Sequence, residues 1–237
     1  AILKNPSTYE HVEPESVGNK RHISVSDQSG RSNVLAQFES VGIDVDSEDP
    51  RINRLLDQVK EREYLGYSYD GAEASFELLA RRMLGQVPEY FTVNSFRVLI
   101  ERRYNAVGEL VTVSEATAKV VVDGEQFISV GEGNGPINAL DEALRKDLGK
   151  YQSYIDEIRL VDFKVRILTG GTEAVTRVLI ESADADGNRW FTVGVSPNIV
   201  DASFQALTDS ITYKLLRDGA PAPLSSDSQA TLKQPGR

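Results

Sequence analysis

Two segments of this 237-residue chain place glycine, proline and small polar residues where a strand pattern turns into a helix pattern. They are Gly131-Glu132-Gly133-Asn134-Gly135-Pro136 and Ser196-Pro197-Asn198. A helix start carries unpaired N–H groups and a partial positive charge, so it can hold an anion. A free amino acid suits such a place: its carboxylate takes the N–H groups, and its side chain enters the apolar layer beneath. Pro136 at the first helical position, with Gly135 before it, lets backbone approach a ligand closely. In the second segment Ser196 or Asn198 is the candidate cap. A tight turn needing positive φ explains the glycines equally well, and that alternative stays open here.

The two segments are copies. Residues 130–144, VGEGNGPINALDEAL, return as residues 193–207, VGVSPNIVDASFQAL, at an offset of 63 (193 − 130). Val130/Val193, Gly131/Gly194, Ala139/Ala202, Ala143/Ala206 and Leu144/Leu207 coincide. The first copy contains Gly-x-Gly but lacks dinucleotide-loop spacing, because Pro136 already begins the helix.

Other chemistry is sparse. His11 and His22 are the only histidines; they stand in polar sequence without a helical i, i+4 partner, which reads as solvated surface. There is no G-x-S-x-G, P-loop or H-E-x-x-H motif, and a hydrolytic triad would have to use one of those two histidines. Nothing here calls for a metal or cofactor in this chain. An independent enzyme is not expected.

The elements that position the segments follow from hydrophobic period. Residues 1–88 read as small helices. One runs through Val34, Leu35, Phe38 and Val41 to a stop at Gly42, and another carries Ile52, Leu55, Leu56 and Val59 on one face. Asp70-x-x-Glu73 looks like a capping box for a third, burying Phe76, Leu79, Ala80 and Met83. Pro88 closes the region.

Residues 89–217 carry two β-β-β-α units. The first has strands around 96–102, 117–122 and 127–130, an Asp123-Gly124 hairpin and a helix from Pro136. The second has strands around 163–168, 176–181 and 190–193, an Asp186-Gly187-Asn188 hairpin and a helix from Ile199. EATAKVVV (115–122) matches EAVTRVLI (173–180), extending the repeat upstream. The fold class is therefore α+β, a duplicated βββα domain behind small helical subdomains. Residues 218–237 are rich in Pro, Ser, Ala and Gln without periodicity and read as a disordered tail.

A net charge of −10 argues against nucleic acid or an anionic membrane as the main partner. No apolar stretch is long enough to span a bilayer, the first residues lack the pattern of a secretory signal, and cysteine is absent. A cytoplasmic location is expected.

KNPSTYEHVEPESVGNKR (4–21), SGRSNV (29–34), GNGPINALDEAL (133–144) and VGVSPNIVDASFQAL (193–207) together resemble the α-isopropylmalate/citramalate synthase family. The opening segment is most similar to the citramalate branch. The resemblance implies an N-terminal TIM barrel that condenses acetyl-CoA with a 2-oxo acid at a divalent metal held by His and Asp. Two linker subdomains then precede a regulatory domain that dimerises and binds the end-product amino acid. By that resemblance this chain corresponds to the linkers and the regulatory domain, and would not catalyse the condensation without the barrel.

The resemblance also implies roles. Asn5 and Tyr9 are the nearest matches to residues that relatives donate to the acceptor pocket. Effector contacts fall on Asn134, Gly135, Pro136, Ile137 and Asn138; on Leu160, Phe163 and Ile167; and on Pro197 and Ile199, with Val178 a looser match. Some relatives carry Asp and Tyr where this chain has Asn138 and Phe163, which leaves Asp162 or a backbone carbonyl to meet the ammonium.

Ile137, Leu160, Phe163, Ile167 and Ile199 suit a branched aliphatic side chain, though each alone also fits plain core packing. Burying that side chain contributes roughly 1.5–3 kcal/mol, and each charge-assisted bond to the carboxylate roughly 1.5–3 kcal/mol. A micromolar ligand needs about −8 kcal/mol, so the set suffices without excess. Three readings follow: an isoleucine sensor (leucine for the isopropylmalate branch), a dimerisation scaffold without a ligand, or part of a complete synthase.

Overall fold

The computed structural model describes residues 49–171 and 174–224, with Leu35, Phe38, Glu39 and residues 41–43. Asn5, Tyr9, both histidines and the opening segment that carries part of the resemblance lie outside the described residues.

Helix α1 spans Pro50–Tyr64; Asp49 caps it by accepting the Arg51 N–H at 2.8 Å, and Pro50 fills the first turn, where its missing N–H costs nothing. Its stripe buries Ile52, Leu55 and Val59. Helix α2 spans Glu73–Met83 and buries Phe76, Leu79 and Ala80, whereas Met83 is half-buried. The expected capping box does not form. Gly71 takes a left-handed φ of 74° between Asp70 and the helix, so Ala72 becomes the N-cap and no side chain bonds there.

The first unit comprises β1 (Thr92–Tyr104), β2 (Leu110–Val122), β3 (Glu125–Gly133) and α3 (Pro136–Arg145). A short 3-10 turn and α4 (Gln152–Ile155) lead to the second unit: β4 (Arg159–Ile167), β5 (Thr176–Ala183), β6 (Arg189–Ser196) and α5 (Ile199–Arg217). Each unit forms a three-stranded antiparallel sheet in simple order. Asp123 and Gly124 both adopt positive φ, 50° and 77°, as a two-residue Asp-Gly hairpin requires. The β1–β2 hairpin is longer than its hydrophobic pattern indicates, with 13 residues in each strand. Its turn is closed by Asn105 Oδ1, which accepts the N–H groups of Val107 and Glu109.

One core joins the helix-facing residues of both sheets to α3 and α5. Ala116, Ala118 and Val120 of β2 meet Ala139 and Leu140; Val178 and Ile180 of β5 meet Ala202 and Ala206. Phe96 of the first sheet stacks on Phe204 of α5 with ring centroids 4.7 Å apart, tying the units together. A second cluster packs α1 and α2 against Val193 and Leu179 of the second sheet.

The duplication holds in three dimensions, with one correction. Ala116 pairs with Gly131 and Val178 with Gly194, so the middle strands align at an offset of 62 (178 − 116). The match of EATAKVVV to EAVTRVLI uses 58 (173 − 115) and is four residues out of register. An even slip keeps every side chain on its own face, so alternation cannot reveal it.

Within the stretch expected to be disordered, residues 220–224 are docked. Ala220 is buried, the Tyr151 hydroxyl donates to Pro221 O at 2.8 Å, and the Leu224 N–H donates to Asp123 Oδ1 at 2.8 Å. Residues 225–237 lie outside the described residues.

Candidate functional site

The glycine-rich turn divides by role. Gly131 and Gly133 lie under α3. A Cβ on Gly131 would stand 2.4 Å from Ala143 N and 2.5 Å from Ala139 O; one on Gly133 would stand 2.5 Å from Asn138 Oδ1. These two are packing glycines. Gly135 has nothing within 4 Å of a Cβ position. Its φ of −164° is extended backbone open to any residue, so positive φ does not explain the turn.

The two helix starts also differ. Asn198 caps α5, its side chain accepting the Val200 N–H at 2.8 Å, while Ser196 Oγ accepts the Asn198 N–H. Gly135 caps α3 with no side-chain bond, and Pro136 follows it. Asn138 turns back so that its Oδ1 accepts the Asn134 N–H at 3.3 Å. One start is closed by its own side chain, and the other presents backbone and open space.

Of the apolar set, Ile137, Leu160 and Phe163 are half-buried against the same core. Phe163 shares a sheet face with the fully buried Ile180, its register partner. Val178 is itself fully buried, a floor rather than a wall. Ile167 is 67% exposed, and pairs with Thr176, which pairs in turn with Ser196 just before Pro197 and Ile199. Ile199 is 41% exposed at the start of α5, and Pro197 is exposed. Asp162 stands apart. It pairs with Glu181 on the other face of the sheet, accepts the Phe163 N–H at 2.8 Å and bridges Lys164 at 2.8 Å. The hydrogen bond from Lys164 holds its carboxyl below the usual carboxylate range. The first unit thus presents an uncapped helix start at Gly135, and the second a partly exposed apolar edge at Ile167 and Ile199.

The LeuA allosteric (dimerisation) domain pattern matches residues 70–215, from just before α2 to near the end of α5. The chain belongs to that family. A second pattern, homocitrate synthase post-HMGL domain-like, matches residues 1–64. Among curated relatives, the (R)-citramalate synthase of Geobacter sulfurreducens is 52% identical over 91% of this chain and 40% of its own length. That of Aquifex aeolicus is 48% identical over 92% of this chain and 41% of its own. A probable 2-isopropylmalate synthase of Methanopyrus kandleri is 29% identical over 89% of this chain. The chain thus spans about 40% of the length of these relatives.

Among the described residues of this LeuA-family domain no group of three or more His, Cys, Asp or Glu side chains could hold a metal ion. The divalent metal implied by the resemblance has no donor set among them. No described helix is long and apolar enough to cross a membrane. A groove of about 430 Å³ between residues 87–93 and α5, lined by Arg82, Tyr90, Phe91, Phe204 and Thr208, has no counterpart among the expected sites. Its residues come from segments far apart in the chain and share no motif.

Proposed function

We propose that this chain is the amino-acid-sensing region of a citramalate synthase-like acyltransferase, binding L-isoleucine as a feedback effector. The acyltransferase would condense acetyl-CoA with pyruvate on a barrel outside this chain, so the chain alone would not catalyse. The carrying observation is the unequal pair of helix starts. Only one start of the two lacks a side-chain cap, at Gly135, and half-buried Ile137 follows Pro136 in its first turn. The carboxylate takes the N–H groups of that start, and Leu160, Phe163, Ile167 and Ile199 take the side chain. Backbone carbonyls meet the ammonium, since Asp162 is engaged on the other face.

The working unit is a homodimer. Ile100, Tyr104 and Leu110 on the projecting β1–β2 hairpin, and Val165 and Ile167 on β4, remain exposed in one copy. A second copy would cover such a surface. The cytoplasm is the setting in which this assembly would meet its effector.

Leucine is the second candidate, favoured by the similarity to a probable 2-isopropylmalate synthase. A ligand-free dimerisation scaffold is the third, favoured by Asn138 and Phe163 where some relatives carry Asp and Tyr. Calorimetry with isoleucine, leucine and valine, combined with sedimentation, separates the three. Isoleucine heat on a dimer supports the sensor; a dimer without heat for any of them supports the scaffold.

A further inference from the structure

Each of the three elements that end at the candidate effector site also touches one short turn on the opposite side of the second sheet. Ile167 ends β4, and the next residue, Leu168, packs on Gly66: a Cβ there would stand 2.3 Å from Leu168 Cδ1. Val178 lies in β5, and the residue before it, Arg177, donates from Nε to Gly66 O at 2.5 Å. Ile199 begins α5, and six residues on, about 9 Å along the helix axis, Gln205 Oε1 accepts the Tyr67 hydroxyl at 2.6 Å. The same Gln205 oxygen accepts the Val195 N–H of edge strand β6 at 3.1 Å.

Neighbouring residues on a strand face opposite sides of the sheet. Whatever displaces Ile167 or Val178 from one side therefore moves Leu168 or Arg177 on the other. A further buried bond set ties α5 to α2. Ser75 Oγ donates to Asp209 Oδ2 at 3.1 Å and accepts the Val193 N–H at 3.0 Å, while Arg82 bridges Asp209 at 2.8 Å. Gly66 holds a φ of 108°, a conformation that few other residues adopt, so a side chain at this position would strain the turn.

We propose that the Gly66–Tyr67 turn reads occupancy of the effector site through Leu168, Arg177 and Gln205, and passes it to α1. This rests on the effector reading above. Tyr67, Arg177 and Gln205 are positioning residues: they touch no ligand and act through the strand ends and the helix that do. Coupling of this kind is reciprocal, so loosening the turn must change effector affinity as well.

The test is amide hydrogen exchange of residues 60–69 with and without saturating L-isoleucine, alongside calorimetry, for the parent chain, Tyr67→Phe and Arg177→Met. Lys150→Ala, which removes a surface ion pair with Asp123 in the first unit, controls for general loosening. In the parent, isoleucine should slow exchange across 60–69 at least fivefold. In both turn variants isoleucine should still bind, with Kd changed threefold or more, and the ligand-dependent slowing should vanish. Lys150→Ala should keep it. Isoleucine heat without slowing in the parent overturns the proposal, as does full slowing in both variants. Absence of heat with isoleucine, leucine and valine overturns the effector reading itself and the proposal with it.

Discussion

Gly194 lies directly beneath the Ala202 carbonyl, so close that a Cβ on Gly194 would stand 1.9 Å from that oxygen. Gly131 bears the same relation to Ala139 at 2.5 Å, one repeat earlier. The most visible identities of the duplication, a glycine followed eight residues later by an alanine, are thus the seats of α3 and α5 on their sheets. Gly131→Ala and Gly194→Ala should each destabilise by roughly 1–3 kcal/mol, as overpacking does. The check is urea unfolding, where both midpoints fall together.

Gly135 should behave differently. Its extended backbone and empty surroundings admit any side chain, so Gly135→Glu should change stability by no more than about 0.5 kcal/mol. It should nevertheless abolish amino-acid binding, because the new carboxylate occupies the place of the ligand's own. Thermal unfolding and calorimetry on one preparation separate the two effects.

Acid should weaken the second unit through Asp184. Burial pushes this carboxyl up, but bonds from Asn188, Lys214 and Arg217 outweigh that and hold it below its ordinary value of 3.8. A depressed folded-state pKa gives stability that is fully present above the unfolded value and lost as pH falls below it toward the folded one. Asp184→Asn should cost roughly 1.5–3 kcal/mol at neutral pH, in line with hydrogen bonds to charged groups. Denaturant midpoints of parent and variant should converge as pH drops below that unfolded value.

Asp209 should show the opposite slope. Burial raises its pKa despite Arg82 and Ser75, so its contribution is full below the unfolded value and lost as pH rises through the folded one. Asp209→Asn should remove that dependence, measurable by unfolding the variant across mildly acidic pH.

What the sequence made legible was whatever depends on period and turn chemistry. The Asp123-Gly124 hairpin, the helix starts at Pro136 and Ile199 and the strand order of both units follow from residues local to each element. The distal part of β1–β2 did not: β1 runs on to Tyr104 and β2 begins at Leu110, beyond the expected 96–102 and 117–122, and none of Arg103, Tyr104 and residues 110–113 is buried, so no core-facing pattern marks them. Docking of residues 220–224 depends on Tyr151 and Asp123, about a hundred residues or fewer away, and has no local signature. At the candidate site the packing role of Gly131 and Gly133 and the orientation of Asp162 required the sheet faces. A glycine needed for positive φ and one needed for close approach look alike in sequence.

The open helix start at Gly135 and the apolar set of Ile137, Leu160, Phe163, Ile167 and Ile199 are proposed to bind a branched-chain amino acid. Titrating the chain with L-isoleucine, L-leucine and L-valine at millimolar concentration in a calorimeter tests this most directly. Saturable heat with L-isoleucine at a micromolar-range Kd, lost in Gly135→Glu, is the predicted result. No heat with any of the three from a folded parent chain would contradict it.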